Sequence, residues 1–362
     1  MKHLNQYKND SFDLKALPSY KNKSFNSKSL TSYITEYIIK KKLDTPIDSE
    51  DHYGCYPETK QELIDNIKEL LNKGETNLNC IDTSKITDMS HLFESYENIN
   101  FDISKWNVSN VTNMDSMFNK CIRFDCDLSN WDVSNVKNMK YMFNWCSNFT
   151  GKGLENWDVS NVTNMHGMFY SCKYINSDLN KWDVSNVEDM GDMFDNCYSF
   201  NCDLSNWNVS KVKNMSYMFS NCKKFNCNIS NWNIKNVKNM KALFFGCYNF
   251  TGKGLENWDV SKVENMAGIF SWCIKFNCDL YKWDVSNVNN MDFMFENCKK
   301  FEGKGLENWD VSNVISMKYM FQNCENFKAK DLDKWNVSNV KNMDLMFANC
   351  IKLKKIPSWY KE

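Results

Sequence analysis

From Trp106 to Trp335 the apolar residues of this chain recur in one phrase, written most fully at 131–149 as WDVSNVKNMKYMFNWCSNF. With each tryptophan as position zero, the anchors are Trp106, Trp131, Trp157, Trp182, Trp207, Trp232, Trp258, Trp283, Trp309 and Trp335, spaced 25 or 26 residues apart. The extra residue always falls between the aromatic or aliphatic residue at +18 and the next anchor. Three times it accompanies Gly-Lys-Gly (Gly151–Gly153, Gly252–Gly254, Gly303–Gly305), and once Ala329–Lys330. A length change confined to one place, with register restored at the next tryptophan, marks a loop outside the repeating frame. A fixed period of this length predicts an array of like units.

Two hydrophobic periods sit back to back inside each unit. Trp131-x-Val133 alternates with period two, which predicts a short strand with both side chains on one face and Asp132 and Ser134 on the other. Met139, Met142, Phe143 and Cys146 then stand at i, i+3, i+4 and i+7, which predicts a helix of about two turns. Asn138 precedes that stripe at a position suited to a turn or cap. One unit is too small to bury its apolar side alone, so successive units must stack. The expected fold is therefore an α/β repeat solenoid: a right-handed, leucine-rich-repeat-like stack with one short parallel strand and one short helix per coil. The handedness follows from the crossover rule for parallel strands. About eleven coils, with strands ~4.8 Å apart, give an array roughly 50 Å long.

Like residues should form ladders up such a stack. The asparagine at +7 recurs from Asn113 to Asn342, broken by Asp189 and Ser316, and is placed to satisfy backbone groups at a repeated turn. Ten cysteines occupy +15: Cys121, Cys146, Cys172, Cys197, Cys222, Cys247, Cys273, Cys298, Cys324 and Cys350. They read as small buried hydrophobes, since no C-x2-C pair exists and His3, His52, His91 and His166 follow no matching period. A second set, Cys126, Cys202, Cys227 and Cys278, precedes the strand; Cys202 and Cys227 lie in neighbouring coils within prospective disulfide reach. So many thiols fit a reducing compartment better than an oxidising one.

The frame Leu-x-x-Trp-x-Val-Ser-x-Val-x-x-Met, followed by Met-Phe-x-x-Cys-x-x-Phe, resembles the BspA-like leucine-rich repeats of bacterial surface proteins. More narrowly it is similar to the surface-protein repeat with the WDVSNVTNM…MF signature that also occurs in mycoplasma lipoproteins. The resemblance covers about residues 78–353. It implies a solenoid used for adhesion or protein binding, with no enzymatic activity.

Outside the array, residues 1–54 carry no repeat; YITEYIIKKKL at 33–43 reads as a short helix with a basic, solvated end. The first ten residues hold no apolar h-region, so a secretory signal peptide is not expected there. Residues 55–75 form an N-terminal cap: Thr59 and Glu62 fit a capping box, Gly74 a stop, and Leu63, Ile64, Ile67, Leu70 and Leu71 one apolar face. The solenoid runs over 76–350, its first coil having Ile81 in place of tryptophan, and 351–362 form a shorter cap. A net charge of −1 and a single arginine, Arg123, argue against nucleic acid, which needs a basic stripe. No run of 18 apolar residues exists.

No catalytic residue, cofactor or metal ligand is assigned. Ser109, Ser134, Ser160 and their equivalents have no base beside them, so nucleophilic catalysis lacks its second member. The outward column Asp132, Asp158, Asp183, Asp259, Asp284 and Asp310 raises calcium, but the glycine-rich turns of calcium-binding β-rolls are missing and Lys105, Lys181, Lys282 and Lys334 intervene. The candidate contacts for a protein partner stand at +10 and +14, outside the buried stripe: Tyr141 with Trp145, Trp272, and the column Phe293, Tyr319, Leu345 on three successive coils.

Overall fold

The computed structural model describes residues 54–361. They form one stack in which every coil pairs in parallel with the next. Single parallel bridges join Asp88 to Asn113, Asn113 to Asn138, and so on in unbroken sequence to Ser316 and Asn342. The sequence-predicted Tyr33–Leu43 helix lies outside the described residues.

The interior is a set of ladders. Trp131, Val133, Val136, Met139, Met142, Phe143, Cys146 and Phe149, with their equivalents in the central coils, are all buried. Indoles stack nearly coplanar, Trp131 on Trp157 at 6.3 Å and 1°, and Phe143 lies on Phe169 at 5.7 Å and 3°. Buried indole N–H groups need acceptors. Each finds one on the coil below: Trp131 Nε1 donates to the Ile103 carbonyl at 3.1 Å, and Trp182 Nε1 to that of Leu154 at 2.8 Å.

The local elements differ from the expected strand and helix. Trp131 and Val133 do alternate inward around exposed Asp132, but their backbones form no ladder; pairing sits at the +7 asparagine instead. The Met139–Cys146 stripe is not helical. In every coil the residues at +10 and +14 take a left-handed backbone, as at Tyr141 (φ 52°) and Trp145 (φ 59°). That conformation interrupts i to i−4 bonding and swings alternate N–H groups along the stack. Met139, Tyr141, Phe143 and Trp145 donate to Asn164, His166, Met168 and Tyr170 of the next coil, at 3.0, 2.8, 2.9 and 2.7 Å. The residues between them close tight turns, as Met142 N–H to the Met139 carbonyl at 3.2 Å. A left-handed non-glycine residue costs roughly 1–2 kcal/mol. Inter-coil hydrogen bonds of about 1 kcal/mol each, with the buried stripe, offset that cost.

Asparagines hold the turns. Asn138 Oδ1 accepts the N–H of Lys140 at 3.1 Å while its amide donates to Asn113 Oδ1 at 3.1 Å. Where Ser316 breaks this column, Asp292 of the coil below takes over and accepts the Lys318 N–H at 2.8 Å. A second asparagine ladder at +4 caps carbonyls of the preceding coil, as Asn135 Nδ2 on the Ser109 carbonyl at 2.7 Å. The glycine insertions have steric reasons too. Gly153, at φ 90°, opens a single 3-10 turn at Leu154–Asn156, and a Cβ there would sit 2.2 Å from the Ser129 nitrogen.

The ends are unlike. At the first coil, helix α1 (Lys60–Asn72) starts at a capping box of Thr59 and Glu62 and buries Leu63 and Ile67. Cys55 before it pairs with Ile81, and Lys60 Nζ reaches Asp88 and Ser90 at 3.0 and 2.6 Å. At the far end, Trp359 extends the tryptophan ladder, stacking on Trp335 at 6.1 Å and donating to the Leu332 carbonyl at 2.8 Å. Among the described residues no helix is long and apolar enough to cross a membrane.

Candidate binding surface

The left-handed positions decide what the array shows to solvent. Their side chains project from the turn row while the flanking Met, Phe and Cys point inward. The six candidates all occupy them: Tyr141, Phe293, Tyr319 and Leu345 at +10, Trp145 and Trp272 at +14.

They separate into groups. Phe293 and Tyr319 stack at 5.0 Å and 23°, with Lys318 Nζ 4.8 Å above the Tyr319 ring. Leu345, 51% exposed, stands in the same column on the next coil. Trp145 is 46% exposed and leans on Tyr170 at 6.0 Å. Tyr141 is more sheltered: its ring lies over Gly167, where a Cβ would come within 2.3 Å, and meets His166 edge-on at 5.2 Å. Trp272 stands apart, with no ring contact to Phe293 among the described residues.

One cluster escaped the sequence reading. In the Trp182 coil, Asp189, Asp192 and Asp195 occupy +7, +10 and +13. His166 of the coil below lies between the first two, Nδ1 3.3 Å from Asp189 and Nε2 3.4 Å from Asp192. Asp195 is only 7% exposed, and its Oδ1 has no hydrogen-bond partner. Burial pushes its carboxyl up to about 6, against the opposing bond from Ser220. Burial also raises Asp192, whereas Asp189 is lowered overall, its His166 and Gly191 hydrogen bonds outweighing a larger desolvation penalty. The break at Asp189 in the asparagine column was the visible signal; the other two carboxylates follow at three-residue steps. Among the described residues no three such groups converge in a metal-holding arrangement.

The polar columns are occupied by the fold itself. Each +1 aspartate or asparagine caps its own turn, as Asp132 Oδ1 accepting the Ser134 N–H at 3.0 Å. Each +15 thiol donates to the +12 carbonyl below, as Cys146 Sγ to Phe118 at 3.0 Å and Cys222 Sγ to Phe194 at 3.1 Å. Cysteine therefore supplies a small apolar volume and a donor in one side chain. Burial pushes these thiols up, Cys121 to about 12. Cys202 and Cys227 are free thiols, each donating to a carbonyl of the preceding coil.

With this geometry in hand, the chain can be set beside known proteins. The family described as "Mycoplasma protein of unknown function, DUF285" matches residues 62–152, 143–253 and 238–360, three tandem copies spanning the stack. The chain belongs to the DUF285 family. The resemblance read from WDVSNV…MF is thus a family membership. Among solved structures, this DUF285 chain is similar to a leucine-rich repeat protein from Eubacterium ventriosum, at 16% identity and a TM-score of 0.39, over 82% of this chain and 89% of that one. It is also similar to a leucine-rich cell surface protein from Faecalibacterium prausnitzii, at 12% identity and a TM-score of 0.27, over 72% and 83% of the two chains. No curated protein matches the chain.

Proposed function

We propose that this DUF285 chain is a non-enzymatic protein-binding solenoid whose contact patch is the Phe293–Tyr319–Leu345 column. The observation that carries the reading is the stacked pair of exposed Phe293 and half-buried Tyr319, continued by exposed Leu345 on the next coil. Interface energy concentrates in a few aromatic anchors. Elsewhere the conspicuous polar residues are committed to turns, whereas these three side chains lie outside the buried ladders. The family resemblance favours display on a cell surface as an adhesin. Sixteen unpaired cysteines favour the rival, an intracellular scaffold or inhibitor. Protease treatment of intact cells separates the two: cleavage supports display, and protection removes it.

The patch is tested by changing Phe293, Tyr319 and Leu345 together to Ser and measuring capture of partners by affinity purification with mass spectrometry. Serine already occupies +10 with a left-handed backbone at Ser116 (φ 55°), so the substituted coils keep a tolerated conformation. The expected result is lost capture at an unchanged melting temperature. Full capture by the triple variant refutes the patch.

A further inference from the structure

Folding collects charge that the chain order disperses. Positions +16 and +17, between the buried +15 cysteine and the buried +18 residue, carry Lys173, Lys223, Lys224, Lys275, Lys299 and Lys300, all exposed, over six successive coils. Arg123 and Lys352 extend the two columns in either direction. Over the ten coils from Trp106 to Trp335 these twenty positions hold eight cations and one carboxylate, Glu325. Among the described residues only Lys299 has a carboxylate partner, Glu325 at 2.9 Å. The columns are continuous in space: Lys223 Nζ lies 4.7 Å from the Tyr198 ring of the coil before and 6.0 Å from the Tyr248 ring of the coil after, and Lys275 Nζ donates to Asn249 Oδ1 at 2.8 Å. At +6, by contrast, lysines alternate with Glu188 and Glu264 and are paired, Lys213 to Glu188 at 2.6 Å and Lys238 to Glu264 at 3.1 Å. Net charge and a single arginine argued against nucleic acid because no basic stripe shows along the chain; the stack assembles one.

The stripe is two residues wide and follows the stack axis. From Lys173 to Lys300 it covers five coil steps, about 24 Å at ~4.8 Å per step. Carboxylates stand to both sides, Asp192 and Glu296 toward the turn row and Asp178, Asp203 and Asp279 toward the loops. A flat anionic membrane would press against those carboxylates as well, whereas a single linear chain lies between them. Exposed rings interrupt the cations: Tyr174, Tyr198 and Tyr248 occupy three of the same positions. Lysines hold backbone phosphates as point charges, and aromatic faces take unpaired bases. An acidic polymer without planar groups would use the lysines and leave the tyrosines idle.

We propose that this stripe is a binding track for single-stranded nucleic acid, with phosphates on the lysines and bases against the tyrosines. Point charges and ring faces carry no base-edge code, so the contact is independent of sequence. The track is separate from the Phe293–Tyr319–Leu345 column, and neither reading rests on the other.

The test uses the full chain and a fluorescent oligothymidylate of roughly twenty nucleotides, read by fluorescence polarisation between about 50 and 200 mM salt. The five lysines without a carboxylate partner between Lys173 and Lys300, at ~0.7 per phosphate, give a log–log salt slope of about −3.5, a loss of roughly 100-fold across that range. Lys223→Gln with Lys224→Gln and Lys300→Gln should flatten the slope by about 2 and weaken binding roughly tenfold or more at the lower salt. Lys137→Gln with Lys213→Gln and Lys238→Gln removes the same charge at +6 and should leave binding unchanged. Tyr174→Ser with Tyr248→Ser uses a residue already present in these columns at Ser147 and Ser199. It should weaken the oligonucleotide about tenfold and leave the weaker binding of inorganic polyphosphate unaltered. The triple Ser variant of the aromatic column should bind as the parent does, so the two proposals fail separately. Absence of binding at the lower salt, equal weakening by the two lysine triples, no loss from the tyrosine changes, or polyphosphate bound as tightly as the oligonucleotide overturns the proposal. So does capture by phosphatidylserine vesicles that the Lys223, Lys224 and Lys300 changes abolish, which would make a membrane the occupant.

Discussion

Replacing Asp195 by Asn should stabilise the protein above neutral pH and do little in acid. Asp195 is 7% exposed, with one carboxylate oxygen unpartnered. Its carboxyl is pushed up from 3.8 to about 6, chiefly by burial, with Asp192 adding to the rise and bonds from Ser220 and Asn221 opposing it. An acid whose folded-state value is raised holds its proton more tightly in the folded chain. Stability therefore falls as pH climbs through the window between about 4 and 6, and the full penalty applies above it. A gap of roughly two units corresponds to about 3 kcal/mol, at ~1.4 kcal/mol per unit. Asparagine keeps the shape and an oxygen for Ser220 but carries no charge. Urea unfolding followed by circular dichroism at pH 7.5 and 4 reads the difference. The variant should gain about 1–3 kcal/mol at pH 7.5 and converge on the parent near pH 4. Asp192→Asn is the control for the neighbouring carboxylate, which faces His166 together with Asp189 in both proteins. A variant less stable than the parent at pH 7.5, or a gain independent of pH, refutes the argument.

Two further outcomes follow from the ladders. Phe295→Ala, at a fully buried ring stacked on Phe301 at 4.2 Å and Phe321 at 5.6 Å, should destabilise by about 3–5 kcal/mol in urea titration, unlike the Ser changes at the +10 column. In the native protein an aromatic disulfide reagent should label exposed Cys80 first, then the partly exposed Cys55 and Cys227, while the ten +15 thiols react only after denaturation. Rapid native labelling of more than a few thiols would show that the ladder is open.

What the sequence disclosed was sidedness more than backbone. Met139, Met142, Phe143 and Cys146 fit a helical stripe because i, i+3, i+4 and i+7 also share a side in a row of turns with a left-handed residue at every fourth place. Period alone cannot separate the two. The discriminating residues lay at the positions between: Gly167, Gly246 and Gly268, and Asn196, Asn221, Asn297, Asn323 and Asn349, types for which a positive φ costs least. Tyr141, Trp145 and Phe293 in the same positions concealed the rule, since bulky residues adopt it only when the surrounding coils impose it. The tryptophan and cysteine columns were visible as buried, but their donor bonds to carbonyls of the coil below were not. Those bonds depend on how coils are offset, which one coil's sequence does not contain. The Asp189–Asp192–Asp195 cluster was half hidden for a related reason: only its first member interrupts a column regular enough for the break to show.

The one-way turn row also gives the molecule an electrical axis. Peptide groups at four positions per coil point their N–H ends toward the following coil, from His91 and its neighbours to the last turn. Aligned peptides add head to tail, as in an α-helix, where the sum approaches half an elementary charge at each end. Here four such files run side by side through about eleven coils against one file at +6 that points the other way, so the stack is a dipole although the formal net charge of the whole chain is only −1. The positive pole lies at the Asn349 end and the negative pole at the Asp88 end, where Lys60 already sits against it. An approaching charged macromolecule is turned by this field before any side chain touches, more strongly in dilute salt, where the screening length reaches roughly 30 Å.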